Sequence, residues 1–486
     1  MDRMDAATLG VREIADLFGP PGLPFLGNAL QIKPTRMHLI LEGWRRLYGD
    51  PYRFSITGRT FLVVADAEAI GAILRDRPDG FRRTDRLESA SREMGFGGVF
   101  SSNGERWRRQ RPMVMAGFDP ARIKAYFPTL RNVTARFAGR WRRAAQSGRE
   151  IDLQADLMRY TVDVTAGLAF GADINTIESD EDVIQRHLDK ILPSLGRRLL
   201  APFPYWRWFR LPRDRRLAPH VAALHEAVDG FIAQARRRLE ADPALRAAPK
   251  NLIEAMLVAR DSPSSGLDDS DVSGNVLTML LAGEDTTANT LAWMIYLLSR
   301  HPEALARARD EVRGLLADRS GETPHPLPSQ EHLQQMPYIE ACINETMRLK
   351  PVAPIIIVQA NRDTTVAGVR VPKDNLVLCL MRPPATDERH FKKPEVFEPA
   401  RWLDAASAGA AAAPSSAKRV AMPFGAGPRL CPGRYLAIHE MKMAMAMLLG
   451  GFDIESVTTP DAGEAREVLN FTMAPGGLKL RLRLRE

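Results

Sequence analysis

The sequence predicts a mainly α fold with a smaller β portion, and three observations carry that expectation. Helical patterns dominate from about residue 120 onward, over 119–146, 152–169, 181–195, 218–240, 251–260 and 271–299. β-rich stretches are confined to about 50–65, 352–382 and 468–485. Apolar residues make up 45% of the 486-residue chain, enough for a substantial core. Length alone would suggest about three domains. No linker divides them, and the small-residue stretch 405–417, directly before a glycine-bent cysteine loop, reads as a surface insertion. A single domain over 1–486 is expected.

Taken in order, Pro20-Pro21-Gly22-Leu23-Pro24 is stiff and extended. Residues 52–56 and 60–64 alternate as a hairpin around Gly58-Arg59. Asp66 caps a helix running through Leu74. The pattern over 271–299 is the longest helix, apolar on both sides of a polar centre, and that centre argues against a membrane span. Pro351 and Pro354 keep the next apolar run extended, and 363–368 reads as strand and turn. A long apolar helix, 434–450, follows Cys431. The tail, 470–484, alternates as a closing hairpin around Pro475-Gly476-Gly477.

The formal charge is +8. Nucleic-acid binding needs basic and aromatic residues clustered in a module, whereas here runs such as Arg236-Arg237-Arg238 are spread over helical segments and read as solvated surface. No nucleic-acid partner is expected, although basic charge near the cysteine would suit an acidic electron donor. Cys342, Cys379 and Cys431 form no close pairs, which points to a reducing compartment. Residues 1–17 carry charges throughout and resemble neither a signal peptide nor an anchor. The expectation is a soluble, cytoplasmic monomer without a transmembrane anchor.

The most informative segment is Phe424-Gly425-Ala426-Gly427-Pro428-Arg429-Leu430-Cys431-Pro432-Gly433. Cys431 is expected at the N-cap of the following helix, with Pro432 in its first turn. The N–H groups of Gly433 and Arg434 would then point at the sulfur. The helix dipole would join them in favouring thiolate. Gly425 and Gly427 permit tight turns and close approach of a flat ligand, and Arg429 offers a cation to a carboxylate of that ligand. A free cysteine is most often an inert buried thiol. Zinc is disfavoured because no second Cys or His lies at ligand spacing.

The whole pattern resembles the haem-ligating loop of the cytochrome P450 superfamily, the haem-thiolate monooxygenases. The resemblance implies that Cys431 is the axial thiolate of haem iron, that Arg429 binds a haem propionate, and that Phe424 and Gly433 lie against the cofactor. Trp107 and Arg111, four apart on one helix face, are similar to the family's propionate-binding helix, though a basic amphipathic helix would look alike. Leu280-Leu281-Ala282-Gly283-Glu284-Asp285-Thr286-Thr287 is similar to the oxygen-activation motif. By that likeness Asp285 is the acid, Thr286 the alcohol, and Ala282 sits near the bound oxygen. The plainer reading is a polar kink with threonine bonding the i−4 carbonyl. Gly283 costs roughly 1 kcal/mol of helix stability, so a packing reason is expected.

Glu345 and Arg348, three apart, resemble the family's buried Glu-x-x-Arg pair, with Arg401 as the third, scaffolding member. Val358 stands where many relatives place a propionate arginine, and no replacement is assigned. Segments 86–100, 199–209 and 471–473, with the extended run 351–357, correspond to substrate-contacting regions. The side chains singled out are Phe96, Leu281, Ala353, Ile355, Phe471 and Met473. The aromatic stretch from Pro202 to Trp208 could touch a membrane surface, but packing under a lid is preferred.

The resemblance covers nearly the whole chain. It implies haem b between the long central helix and the cysteine helix, with O2 as co-substrate and NAD(P)H as indirect reductant. No fused reductase is expected, so electrons would come from a separate ferredoxin or flavodoxin with its reductase. The substrate would be a hydrophobic small molecule, such as a fatty acid, terpenoid, steroid or polyketide-like product, that is hydroxylated or epoxidised. The alternatives are a peroxide-driven peroxygenase and a non-catalytic haem-thiolate sensor.

Overall fold

The computed structural model describes residues 10–179, 183–201, 203–209, 211–317, 327–403 and 414–485. Its axis is the helix Asp269–Arg300, 32 residues and about 48 Å long. A reciprocal cap opens it: the Asp268 carboxylate accepts from the Asp271 N–H at 2.9 Å, and the Asp271 carboxylate accepts from the Asp268 N–H at 3.2 Å. Val276–Leu281 and Leu291–Leu298 are buried on either side of the polar centre, and the helix runs through that centre without interruption. It packs on the helix Leu153–Phe170. A Cβ added at Gly283 would lie 2.4 Å from Thr165 Oγ1, which is the packing reason for glycine there.

The cap expected at Asp66 forms as a hydrogen bond, and three further helices open in the same way. Asp66, Asp119, Asp152 and Asn251 each accept from a first-turn N–H of the helix that follows. Two helices are longer than expected. Val183–Leu200 runs past 195, while 181–182 lie outside the described residues. Pro212–Ala241 starts six residues before 218, at a proline, which is favoured in a first helical turn. Within the expected insertion 405–417, residues through 413 lie outside those described, and 414–417 open the helix Pro414–Ala421.

One sheet has five strands in the order Tyr52–Ile56, Arg59–Val64, Leu376–Leu380, Ile355–Ala360, Phe81–Arg82. The first two form the expected hairpin, turned at Thr57 and Gly58 with φ 46° and 79°. The tail departs from the closing hairpin. Met473–Pro475 pairs back onto Glu467–Leu469, whereas Lys479–Leu484 pairs with Phe452–Thr458 and Ile151–Asp152. Gly477, at φ 67°, marks the passage from one sheet to the other rather than a hairpin tip. Alternation alone does not specify a strand's partner.

Two buried ionic clusters tie these parts together. Glu345 and Arg348 are fully buried and bond twice, each at 2.8 Å. Glu345 also accepts from Arg401 Nε (3.0 Å), Trp402 Nε1 (2.8 Å) and the Glu398 N–H (2.8 Å). Burial pushes the Glu345 carboxyl up, but Arg348, Arg401 and the Glu398 N–H outweigh it and hold it below the usual range. In the second cluster Glu467 accepts from His38, Lys350 and Arg382, and Arg382 pairs with Glu42 as well. Burial raises the Glu467 carboxyl, and the His38 hydrogen bond with the charges of Arg382 and Lys350 more than reverses that.

Candidate active site around Cys431

A cavity of about 1680 Å³ opens between the central helix, the cysteine loop, the helix Gly104–Gly117, the strand Ile355–Ala360 and the turn 469–472. Drug-sized ligand pockets occupy roughly 300–1,000 Å³, so there is room for two molecules of that class.

Cys431 lies on its wall. The helix that follows is Arg434–Gly451 with Gly433 as its N-cap, so the expectation of Cys431 at the N-cap and Pro432 in the first turn is corrected by two residues. The sulfur still takes the Gly433 N–H. The Cys431 N–H donates to the Phe424 carbonyl at 3.0 Å and closes the loop. Gly427 has φ 69°, and a Cβ there would fall 2.7 Å from Arg75 Cα, so this glycine serves packing against a neighbouring helix end. Gly425, φ 76°, faces open space on the cavity wall. The expected preference for thiolate does not hold for the protein's own groups. Burial raises the Cys431 thiol, and the Gly433 N–H, Arg111 and Arg434 only partly oppose it.

Arginines gather beside the loop. Arg429 donates to Ser102 O (2.8 Å) and Asn103 Oδ1 (3.3 Å), lies 4.7 Å over the Trp107 ring, and leaves its buried Nε without a partner. Burial, with Arg77 and Arg111 nearby, lowers it to about 9. Arg111 donates to Leu430 O at 2.6 Å. Two more members were not singled out in the sequence. Arg77 is 3% exposed and lowered by burial to about 10. Arg83 is lowered by burial, then by Arg77 and Arg429. Among the described residues these four guanidiniums, all on the cavity wall, form no ion pair with a carboxylate. Such a cluster is costly unless an anion joins it.

The sequence signal for Arg83 was faint. In Phe81-Arg82-Arg83 the middle residue turns out to pair with Asp85 and Asp374, and only its neighbour faces inward. Val358 is fully buried in a cluster with Phe81, Val377 and Cys379. Arg77 lies close enough to Cys379 to respond to its charge, so a cation comes to the vicinity of Val358 from elsewhere in the chain.

On the central helix, Ala282, Gly283, Thr286, Thr287 and Thr290 face the cavity. Thr286 Oγ1 donates to the Ala282 carbonyl at 2.8 Å, the plain i−4 bond. Asp285 points off the wall, and its Oδ2 accepts from Thr472 Oγ1 at 3.2 Å. Thr472 lines the cavity and also accepts from Asn289 Nδ2 at 3.0 Å. Thr472 was thus passed over between two residues that were chosen. Glu440 was missed too. It is 2% exposed, on the cavity wall, bonded to Thr287, and burial pushes its carboxyl well above the usual range. Its signal was an acid in a stretch, 434–450, whose other charged residues, Arg434 and Lys442, are basic.

Ala353, Ile355 and Phe471 line the cavity. Phe96, Leu281 and Met473 do not, which corrects their assignment to the pocket. Leu281 is buried on another face of the helix from Ala282, since successive residues are turned by about 100°. Phe96 stacks on His225 at 6.4 Å. Met473 is wholly buried where its strand pairs with Leu469, and its carbonyl accepts from Trp293 Nε1. Pro202 and Arg210 lie outside the described residues. Phe203, Trp208 and Phe209 are exposed, while Trp206 is buried against Glu93.

Compared with known proteins, the chain matches the family description "Cytochrome P450" over residues 18–482. The chain belongs to the cytochrome P450 family. Its relatives include cytochrome P450 4F6 of Rattus norvegicus, 30% identical over 398 residues, which are 79% of this chain and 71% of that protein. Cytochrome P450 3A6 of Oryctolagus cuniculus is 24% identical over 92% of this chain and 88% of its own length. The self-sufficient cytochrome P450 monooxygenase CYP505E3 of Phanerodontia chrysosporium is 29% identical over 89% of this chain, which spans only 40% of that relative. The protein is a cytochrome P450 monooxygenase, and membership implies a haem-thiolate cofactor and a redox partner. Among the described residues no helix is long and apolar enough to cross a membrane.

Proposed function

We propose that this P450 hydroxylates or epoxidises a hydrophobic small molecule, using O2 and electrons relayed from NAD(P)H through a separate ferredoxin or flavodoxin. The observation that carries this is the juxtaposition of Cys431 with four cavity-facing arginines that have no carboxylate partner among the described residues. Haem b fits that chemistry, because it brings a cation for the sulfur and two carboxylates for the guanidiniums. Arg77, Arg83, Arg111 and Arg429 would hold the propionates, with Trp107 backing Arg429, and Arg77 and Arg83 supply the charge that Val358 does not. A metal cation at the sulfur would also overcome the burial that raises the free thiol. When bound, a thiolate-ligated haem supplies O2 activation, and thiolate donation favours O–O cleavage.

The chain's own residues would govern protons and water. Thr286 presents its hydroxyl to the cavity, where it accepts freely and donates once it leaves the Ala282 carbonyl. Asp285 Oδ2 accepts the Thr472 hydroxyl proton, and reversal of that bond would pass a proton from Asp285 through Thr472, which reaches the cavity. The small side chain of Ala282, one turn before Thr286 on the same wall, leaves space beside that hydroxyl. Glu440, pushed toward its protonated form, adds no full charge to the floor and bonds the cysteine helix to Thr287. The apolar remainder excludes water and strengthens each of these bonds. The unpaired cysteines support a cytoplasmic setting.

The test is spectroscopic first. The reduced, CO-bound protein should show the strongly red-shifted Soret band of thiolate haem, and Cys431→His should lose it. An unshifted band in folded wild-type protein would refute the assignment. Product formation with NADPH and surrogate redox partners, set against hydrogen peroxide alone, then separates a monooxygenase from a peroxygenase or a sensor.

A further inference from the structure

A buried polar network stands behind one wall of the cavity and takes no part in the proton and haem chemistry above. Its centre is Asn275, fully buried on the central helix. Asn275 Oδ1 accepts from the Val99 N–H at 2.8 Å, and Nδ2 donates to the Asp271 carbonyl at 2.7 Å. One partner can only donate and the other can only accept, so the amide has a single orientation. Gln110, fully buried on the helix Gly104–Gly117, is fixed in the same way. Its Nε2 donates to the Gly97 carbonyl at 3.0 Å and to Asp271 Oδ1 at 2.7 Å, and its Oε1 accepts from Ser102 Oγ at 2.8 Å. Asp271 is held in turn by Arg106 and by its place in the reciprocal cap of the central helix.

The network grips residues 97–102, an irregular segment between the helices Asp85–Glu93 and Gly104–Gly117. Such segments are ordinarily the looser parts of a fold. This one has its backbone pressed against the central helix. A Cβ at Gly98 would fall 2.3 Å from Thr278 Oγ1 and 2.6 Å from the Gly274 carbonyl oxygen, and a Cβ at Gly274 would fall 3.2 Å from the Gly97 backbone. The same segment presents Val99 and Phe100 to the cavity, where Phe100 meets the Phe471 ring edge-on at 5.8 Å. A buried polar network in which both ends of each amide are bonded specifies one arrangement.

We propose that Asn275, assisted by Gln110, is a positioning residue for substrate specificity: it holds Val99 and Phe100 as a fixed wall that limits the width of molecule the cavity admits. The proposal rests on the reading of this cavity as the substrate site beside Cys431. A wide ligand enters only if the wall moves, and the wall moves only if the Val99 N–H leaves Asn275 Oδ1. Arg83 and Arg429 hold the Phe100 and Ser102 carbonyls independently, so the Cys431 end stays in place when Asn275 is altered.

Titration of the holoenzyme with imidazole and with 1-tritylimidazole, followed by the Soret shift, reads the width of the cavity. Asn275→Ala should bind 1-tritylimidazole about tenfold more tightly than wild type does, because one buried hydrogen bond no longer has to break. Its affinity for imidazole should stay as in wild type. Gln110→Ala, at the other grip on the segment, should move the ratio of the two affinities in the same direction. Hydrogen exchange read by mass spectrometry tests the clamp without any variant. In wild-type holoenzyme residues 97–102 should exchange as slowly as the central helix, and Asn275→Ala should speed them about tenfold. Rapid exchange over 97–102 in wild type would overturn the proposal. So would an affinity ratio that Asn275→Ala leaves unchanged or shifts toward imidazole. A protein without the red-shifted CO band, whose 97–102 segment exchanges slowly until Asn275 is replaced, would sink the monooxygenase reading and leave the clamp standing.

Discussion

Replacing Glu345 by alanine removes the acceptor for Arg348, Arg401, Trp402 and the Glu398 N–H at one stroke. Arg348 would keep its bonds to the carbonyls of Ala385, Pro394 and Val396 but lose its counter-charge, with no exposure to water. Breaking a buried pair from one side costs about 3–5 kcal/mol, a large share of the roughly 5–15 kcal/mol that holds a domain together. The thermal signature is nonetheless small. At about 2.1 cal/mol/K per residue, 486 residues give an unfolding entropy of about 1 kcal/mol/K, so Tm falls by only about 3–5 °C. The urea midpoint and the fraction of haem retained after gel filtration are the better assays. Acid titration adds a second readout. Because the Glu345 carboxyl is held below its ordinary value, its contribution is present above the unfolded carboxylate range and disappears as pH falls through the lower folded value. The stability gap between wild type and Glu345→Gln should therefore close on acidification. A Glu345→Ala protein with a wild-type urea midpoint and full haem content would refute the reasoning.

Thr286→Ala should bind haem and substrate normally yet form less product per NADPH and more hydrogen peroxide. Asp285→Asn should instead slow turnover with a larger solvent isotope effect, and Thr472→Val should share that effect if Thr472 is the relay. Wild-type rate and coupling in all three would reduce the polar centre to helix packing. Gly283→Ala should destabilise by about 1–3 kcal/mol through overpacking against Thr165 Oγ1, and Thr165→Ala in the same chain should recover part of the urea midpoint. Arg83→Ala should speed haem loss to an apoprotein acceptor without moving the CO band, and an unchanged loss rate would remove Arg83 from the propionate set.

Much of this was legible because local chemistry decides it. Asp66 announces its helix through a cap that needs no tertiary partner. Glu345, Arg348 and Arg401 fall together as their spacing and the family resemblance suggest. What stayed hidden depends on long-range register. Whether Arg82 or Arg83 turns inward is fixed by the pairing of Phe81 with Ala360, 279 positions away. Thr472 gains its meaning only when its turn is laid against Asp285. The Cys431 loop shows a third kind of miss. Its sulfur receives the expected N–H, but two residues further from the helix, and burial outweighs the favourable dipoles.

The ionic clasp at Glu467 bears on how such proteins are recombined. Its members come from residues 38 and 42 at one end of the chain, 350 and 382 in the middle, and 467 near the other end. The strand it anchors continues into the turn that carries Phe471 and Thr472 into the cavity. A chimera that takes its first fifty residues from one parent and its last fifty from another can therefore inherit half a clasp, even though no crossover touches the active site. Sorting parents by whether positions 38, 42, 350, 382 and 467 match gives a simple rule for choosing crossovers before any library is made.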